Sequence, residues 1–177
     1  MVDIWAYYSN ADEVELFVNG KSLGTKSKQE DELHVVWKVP FEAGTLKAIS
    51  RKNGKEVLIR EIKTAGEPAT IKLTADRSKI AADNYDLAFV TVEILDKNGN
   101  VVPTSGNQID FTVEGNGTLA GVDNGNPVSH ESLKGTTIKA FNGKCLAVIQ
   151  AGGFPGEIQL TASGGGLESA SLSIISE

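Results

Sequence analysis

Apolar and polar residues alternate along most of this chain with the period of two that a strand with one buried face requires. Ile4–Tyr8 opens as a short apolar and aromatic run, closed by the polar Ser9-Asn10-Ala11-Asp12. Val14, Leu16 and Val18 then alternate with Glu13 and Glu15, and the run stops at Asn19-Gly20. That dipeptide is the strongest short signal for a two-residue hairpin turn, so Lys21–Lys26 is predicted to return as the partner strand. Leu33, Val35, Trp37 and Val39 alternate with His34, Val36 and Lys38, which points Trp37 inward and His34 to solvent. Pro40–Gly44 breaks the pattern. Thr45–Arg51 and Glu56–Thr64 flank Asn53-Gly54, a further hairpin.

The pattern restarts after Ala65-Gly66-Glu67-Pro68, where proline cannot donate to a ladder and glycine lets the chain turn. Ile71, Leu73 and Ala75 face Lys72 and Thr74, and Val90, Val92 and Ile94 face Thr91 and Glu93. Asp96–Asn100 is a turn, and Ile109, Phe111 and Val113 alternate with Asp110, Thr112 and Glu114. A tight Gly115-Asn116-Gly117 turn follows, and if Gly117 has positive φ a β-branched residue fits poorly there. Thr118–Val122, Lys144–Gln150, Glu157–Ala162 and Leu167–Ile175 complete the series, with a polar corner at Asp123–Pro127. Helical periodicity is nearly absent. The prediction is an all-β chain of two tandem β-sandwiches, residues 1–65 and 66–177, held at a fairly fixed angle by the short connector.

Composition changes the picture mainly by exclusion. A net charge of −6 leaves no basic stripe to neutralise phosphates, so nucleic acid is not an expected partner. No run of about 18 apolar residues occurs, so no membrane helix is expected. The single Cys145 rules out an intrachain disulfide. Met1-Val2-Asp3 lacks the basic start and apolar core of a signal peptide, and Ile4 already opens a strand. The chain therefore reads as a segment cut from a larger protein.

Several motifs invite chemistry and fail on spacing. Gly115–Ala120 fits a loose dinucleotide-binding pattern after a strand, but glycine-rich sequence follows where a helix must begin. Asp96-Lys97-Asn98-Gly99-Asn100 opens like a calcium loop, yet glycine arrives at the fourth position and Asn107 stands where a glutamate should. The Asp123, Asn124 and Asn126 corner could gather oxygens around a cation, but side-chain-to-backbone turn bonds explain it more cheaply. Ser129-His130-Glu131 are neighbours in sequence, which a catalytic triad is not. Two histidines and one cysteine give no metal-ligand spacing. Asn116-Gly117-Thr118 matches a glycosylation sequon and is read as coincidence. Glu13, Glu15, Glu61, Glu93 and Glu157 fall at outward strand positions, where acids serve solubility. No catalytic residue, cofactor or metal ligand is assigned.

Carbohydrate remains a possible ligand, because exposed aromatic side chains present rigid faces with polar rims. Among Trp5, Tyr7, Tyr8, Trp37, Tyr85 and Phe154, two are singled out as possible carbohydrate contacts. Tyr85 sits in the polar Asp83–Asp86 loop; Trp5 lies in an apolar strand context that, like that of Trp37, favours core packing instead.

Two stretches carry a family resemblance. "GVDNGNP", "AFNGKCLAVIQ" and "PGEIQLTASG" resemble the C-terminal immunoglobulin-like domain of family 2 glycoside hydrolases. "YSNADEVELFVNGKSLGTK", "WKVPFEAGTLKAISRKNGKEV" and "TAGEPATIKLTAD" are similar to the immunoglobulin-like domain that follows the catalytic barrel in many β-galactosidases of that family. The resemblance covers nearly the whole chain. It implies two immunoglobulin-like domains that form a non-catalytic accessory region, buttressing a catalytic barrel elsewhere in the same polypeptide. It also implies a periplasmic or secreted parent enzyme and a possible homo-oligomer. The two catalytic glutamates of such enzymes belong to the barrel, so none is carried over. A carbohydrate-binding module and a tandem adhesin-type spacer are the competing readings.

Overall fold

The computed structural model describes residues 1–177 as two compact units, Met1–Thr64 and Ala65–Glu177. All of the regular structure is β.

Unit 1 contains β1 (Val2–Tyr7), β2 (Glu13–Val18), β3 (Lys21–Lys26), β4 (His34–Val39), β5 (Thr45–Lys52) and β6 (Lys55–Lys63). β1 and β4 pair antiparallel as a two-stranded ribbon, and the other four form a sheet in the order β3-β2-β5-β6. Both hairpins turn where the sequence indicates. Asn19 and Gly20 have φ of 51° and 81°, and Asn53 and Gly54 have 50° and 73°. Positive φ at both central residues is the primed turn whose twist matches that of its strands. The Asn19 side chain also bonds Ala43 O and Thr45 N at 3.1 and 2.8 Å, which pins this hairpin to the start of β5.

Val14, Leu16, Val35 and Trp37 are the buried centre of unit 1, with Ile4, Ala6, Leu23 and Leu46 among the residues packed against them. The alternation thus selects the correct face of β2 and β4, except at its first position. Leu33 precedes β4 and is exposed. β6 is an edge strand exposed along its whole length. Lys55, Glu56, Arg60, Glu61 and Lys63 interrupt its aliphatic residues, the charged punctuation that blunts edge-to-edge association. Val57, Leu58, Ile59 and Ile62 nonetheless remain solvent-exposed.

Unit 2 contains β7 (Thr70–Ala75), β8 (Lys79–Ile80), β9 (Leu87–Leu95), β10 (Gln108–Gly115), β11 (Gly117–Asp123), β12 (Thr137–Lys139), β13 (Lys144–Ala151), β14 (Gly156–Ser163) and β15 (Ala170–Ser176). A five-stranded sheet, β12-β10-β14-β15-β8, accompanies a four-stranded one, β11-β13-β9-β7. Every pairing is antiparallel except β15–β8. The inward positions make one continuous core: Val90, Val92 and Ile94 on β9, Ile149 on β13, and Ile158 and Leu160 on β14 are fully buried. Phe111 lies beside the small Ala162 on the neighbouring strand, so large and small side chains interdigitate. Cys145 is buried in the same core, and burial pushes its thiol up to about 12, which keeps it an inert apolar side chain.

One expectation about the turns is corrected. β10 and β11 are consecutive but belong to different sheets, so the Gly115-Asn116-Gly117 turn is a crossover between layers. The left-handed residue is Gly115, with φ of +89°, and not Gly117. Gly117 is glycine for space: a Cβ there would lie 2.7 Å from Ile158 Cδ1 and 2.9 Å from Gln150 O.

Candidate functional site

The outward face of the β1–β4 ribbon is set by register. Trp5 stands opposite Val36, and Tyr7 opposite His34, while Ile4, Ala6, Val35 and Trp37 point into the core. Trp5 therefore does not pack inward as its apolar neighbours suggest; it is 55% exposed, and Tyr7 is 62% exposed. Trp37 is buried as expected, at 4%. The imidazole of His34 lies parallel to the Trp5 indole, with centroids 4.6 Å apart and planes 7° from coplanar. Tyr7 meets the same imidazole at 4.7 Å, tilted by 38°. His34 Nδ1 is buried without a partner, which leaves Nε2 as the polar tip of this cluster. A groove of about 710 Å³ adjoins it, lined by Tyr7, Leu33 and His34 together with Gln29, Asp31 and Glu32.

Tyr85 belongs to unit 2 and stands alone. Its loop is held by Asp83, whose carboxylate accepts from Tyr85 N and Asp86 N at 2.8 Å each, and which those bonds hold below its ordinary pKa. The ring is 81% exposed and takes part in no aromatic pair. Trp5 thus has a constellation around it and Tyr85 has none. His34 is the member that sequence reasoning leaves out of the cluster. Its signal is the inward set Val35 and Trp37, which turns His34 outward; the register then sets it opposite Tyr7.

The strand acids are engaged singly. Glu15 accepts from Ser22 Oγ at 2.6 Å and pairs with Arg51 at 2.8 Å, and these two contacts lower its pKa. Glu93 sits between Lys144 at 2.8 Å and Lys72 at 3.2 Å, with Lys144 the larger cause of its lowered pKa. Glu157 accepts from Ser173 Oγ at 2.5 Å. Ser129 Oγ donates to Glu131 at 3.3 Å, so that serine is bonded to the acid rather than to His130. No group of three or more His, Cys, Asp or Glu residues is placed to hold a metal ion.

Asp96 is the one buried acid, and its role is architectural. Its carboxylate accepts from Gly66 N, Asn98 N and Asn100 N at 2.8, 2.8 and 2.9 Å, and from Asn100 Nδ2 at 3.0 Å. The Gly66 amide is the largest cause of a pKa far below the usual carboxylate range. The calcium-like motif is thus a backbone clamp that ties the start of unit 2 to the β9 turn. A carboxyl whose pKa is lowered by folding contributes its full stability above its unfolded value, near 3.9, and loses that contribution progressively as pH falls from there through the lowered value. Asp96→Asn is therefore expected to lower the urea midpoint at pH 7 and to do so by markedly less at pH 2. An equal loss at both pH values would show that the clamp does not depend on charge.

Residues 71–173 match the family profile described as glycoside hydrolase family 2 C-terminal domain 5. The chain belongs to this family. Residues 1–58 separately match a domain of unknown function, DUF4982. The chain is 58% identical over 176 residues to the β-galactosidase BoGH2A of Bacteroides ovatus, a match that covers 99% of this chain and 21% of that protein. It is 34% identical over 154 residues to a putative β-glucuronidase of Formosa agariphila, covering 85% of this chain and 15% of that protein. A solved glycosyl hydrolase family 2 member from Bacteroides cellulosilyticus superposes with a TM-score of 0.95 at 38% identity, over 99% of this chain and 23% of that one. A β-glycosidase from Bacteroides vulgatus gives 0.90 at 32% identity, over 98% of this chain and 22% of that one. The chain thus spans about a fifth of the length of these family 2 relatives, whose catalytic domains lie outside the matched stretch. Both units are immunoglobulin-like sandwiches, and the chain corresponds to the non-catalytic C-terminal accessory region of a family 2 glycoside hydrolase.

Proposed function

We propose that the parent enzyme is a β-galactosidase and that this region supports its catalytic domain by direct packing. The observation that carries the first part is the 58% identity to a β-galactosidase across 99% of the chain, against 34% to a putative β-glucuronidase. Support for the second part comes from β6, whose exposed Val57, Leu58, Ile59 and Ile62 form an aliphatic edge of the kind that proteins cover with other protein.

The test uses the parent enzyme and the isolated chain side by side. The chain alone is expected to leave nitrophenyl β-galactoside intact, whereas the parent cleaves it in preference to the glucuronide. In the parent, Leu58→Lys with Ile62→Lys is expected to lower the melting temperature by several degrees while kcat in the folded enzyme stays near wild type. Preference for the glucuronide would overturn the substrate assignment, and an unchanged melting temperature would overturn the packing role.

A further inference from the structure

We propose that the outer face of the β1–β4 ribbon is a binding site for a neutral saccharide, with Trp5 as its stacking platform. Domains of this size expose single aromatic residues routinely, but here two exposed rings and an imidazole share one face of two strands. With His34 against one face of the indole, the exposed area of Trp5 is its opposite face and rim. A pyranose ring offers an apolar patch of C–H bonds on one side and hydroxyls around its edge. The first matches a flat indole; the second needs a polar border, which His34 Nε2, Gln29, Asp31 and the Tyr7 hydroxyl provide.

The platform is fixed before any ligand arrives. Ile4, Ala6, Val35 and Trp37 anchor the ribbon from beneath, and ring-on-ring contacts restrict the side chains above. Little rotamer freedom is then left to lose on binding. The neighbouring groove, at about 710 Å³, falls within the range of small-molecule sites and is large enough for a second sugar residue beyond Tyr7 and His34.

Charge selects the class of saccharide. Asp31 and Glu32 line the groove together with one cation, Lys26. Lys26 Nζ donates to Val36 O at 2.6 Å, and Lys28 Nζ donates to Tyr8 O at 2.7 Å. A uronic acid would meet two carboxylates, Asp31 and Glu32, against the single cation Lys26, so a neutral sugar fits better. The chemistry also differs from that of β6: an aliphatic edge suits protein, whereas aromatic rings with hydrogen-bonding tips suit carbohydrate.

The site can be tested on the full chain by NMR, following the two indole N–H signals. Only Trp5 is solvent-exposed, since Trp37 is buried at 4%. Titration with cellotetraose, xylotetraose and β-1,4-galactotetraose is expected to shift the Trp5 signal and leave that of Trp37 in place, with millimolar or tighter affinity for at least one of the three. Trigalacturonate is expected to bind more weakly than any neutral ligand that binds. Trp5→Ala, followed through backbone amides of β1 and β4, is expected to weaken binding by about tenfold or more, the loss of one stacked ring. Tyr85→Ala serves as the control and is expected to bind as wild type. No shift with any of the three neutral tetrasaccharides would overturn the proposal. So would binding that survives Trp5→Ala, or a Trp5 signal that moves only with protein concentration, which would mark the face as a contact between copies of the chain.

Discussion

Trp37→Ala is expected to unfold unit 1. The indole is the largest of the four buried apolar side chains at the centre of that unit, at 4% exposure. Removing a buried aromatic ring costs about 3–5 kcal/mol, from lost transfer energy and the cavity left behind. A unit of 64 residues has little in reserve. At roughly 0.05–0.15 kcal/mol per residue its whole stability is about 3–10 kcal/mol, and a domain this small buries only about 60% of its unfolded surface. Amide exchange should therefore accelerate throughout β2, β4 and β5. Protection in β9, β13 and β14 should persist, because the two buried clusters share no residue. Trp37→Phe separates packing from polarity. The indole Nε1 is buried without a hydrogen-bond partner, so phenylalanine keeps most of the apolar contact and removes an unsatisfied donor. Its expected cost is below about 1.5 kcal/mol. Equal losses for Ala and Phe would mean that unit 1 requires the full volume of the indole, which a single ring does not replace.

That contrast also measures what the amino-acid order makes legible. Along β10, and over residues 13–16 of β2 and residues 90–94 of β9, apolar and polar residues alternate, so period two identifies both the strand and its buried side. The Asn-Gly hairpins are equally plain, because positive φ at two successive positions leaves few other choices of residue. β1 is different. Asp3, Trp5 and Tyr7 compete with Ile4, Ala6 and Tyr8, and both sets carry aromatic bulk. The pattern then gives the strand without its orientation, which only the register with β4 decides. A candidate site that depends on that orientation is half-visible: Trp5 can be named, but not its partnership with His34 and Tyr7. Strands β8 and β12, of two and three residues, are too short to show any period. Asp96 is legible as a turn residue but not as a clamp, since its Gly66 partner lies 30 positions away.

The β10–β11 crossover should be the least forgiving backbone in unit 2, and Gly115→Val is expected to destabilise it by about 2–6 kcal/mol, the sum of two separate costs. At φ of +89° Gly115 occupies a region that β-branched residues avoid, at about 1–3 kcal/mol. A Cβ there would also run into the Glu157 carbonyl oxygen on β14, a backbone atom fixed by the β10–β14 ladder. Relieving that overlap means moving one strand of a packed sheet, typically about another 1–3 kcal/mol. The neighbouring contacts offer no slack. Asn116 Nδ2 donates to Phe154 O, Gly152 N donates to Asn116 O at 2.7 Å, and a Cβ on Gly117 would press on Ile158. Gly20→Ala is the matched comparison, because Gly20 has φ of +81° and open space around its Cβ position. It bears the conformational cost alone, so it should lose about 1–2 kcal/mol. Urea unfolding, with each unit followed through its own amide signals, gives both values. A Gly115→Val loss no larger than that of Gly20→Ala would mean that the crossover yields and that the contact with Glu157 does not constrain it.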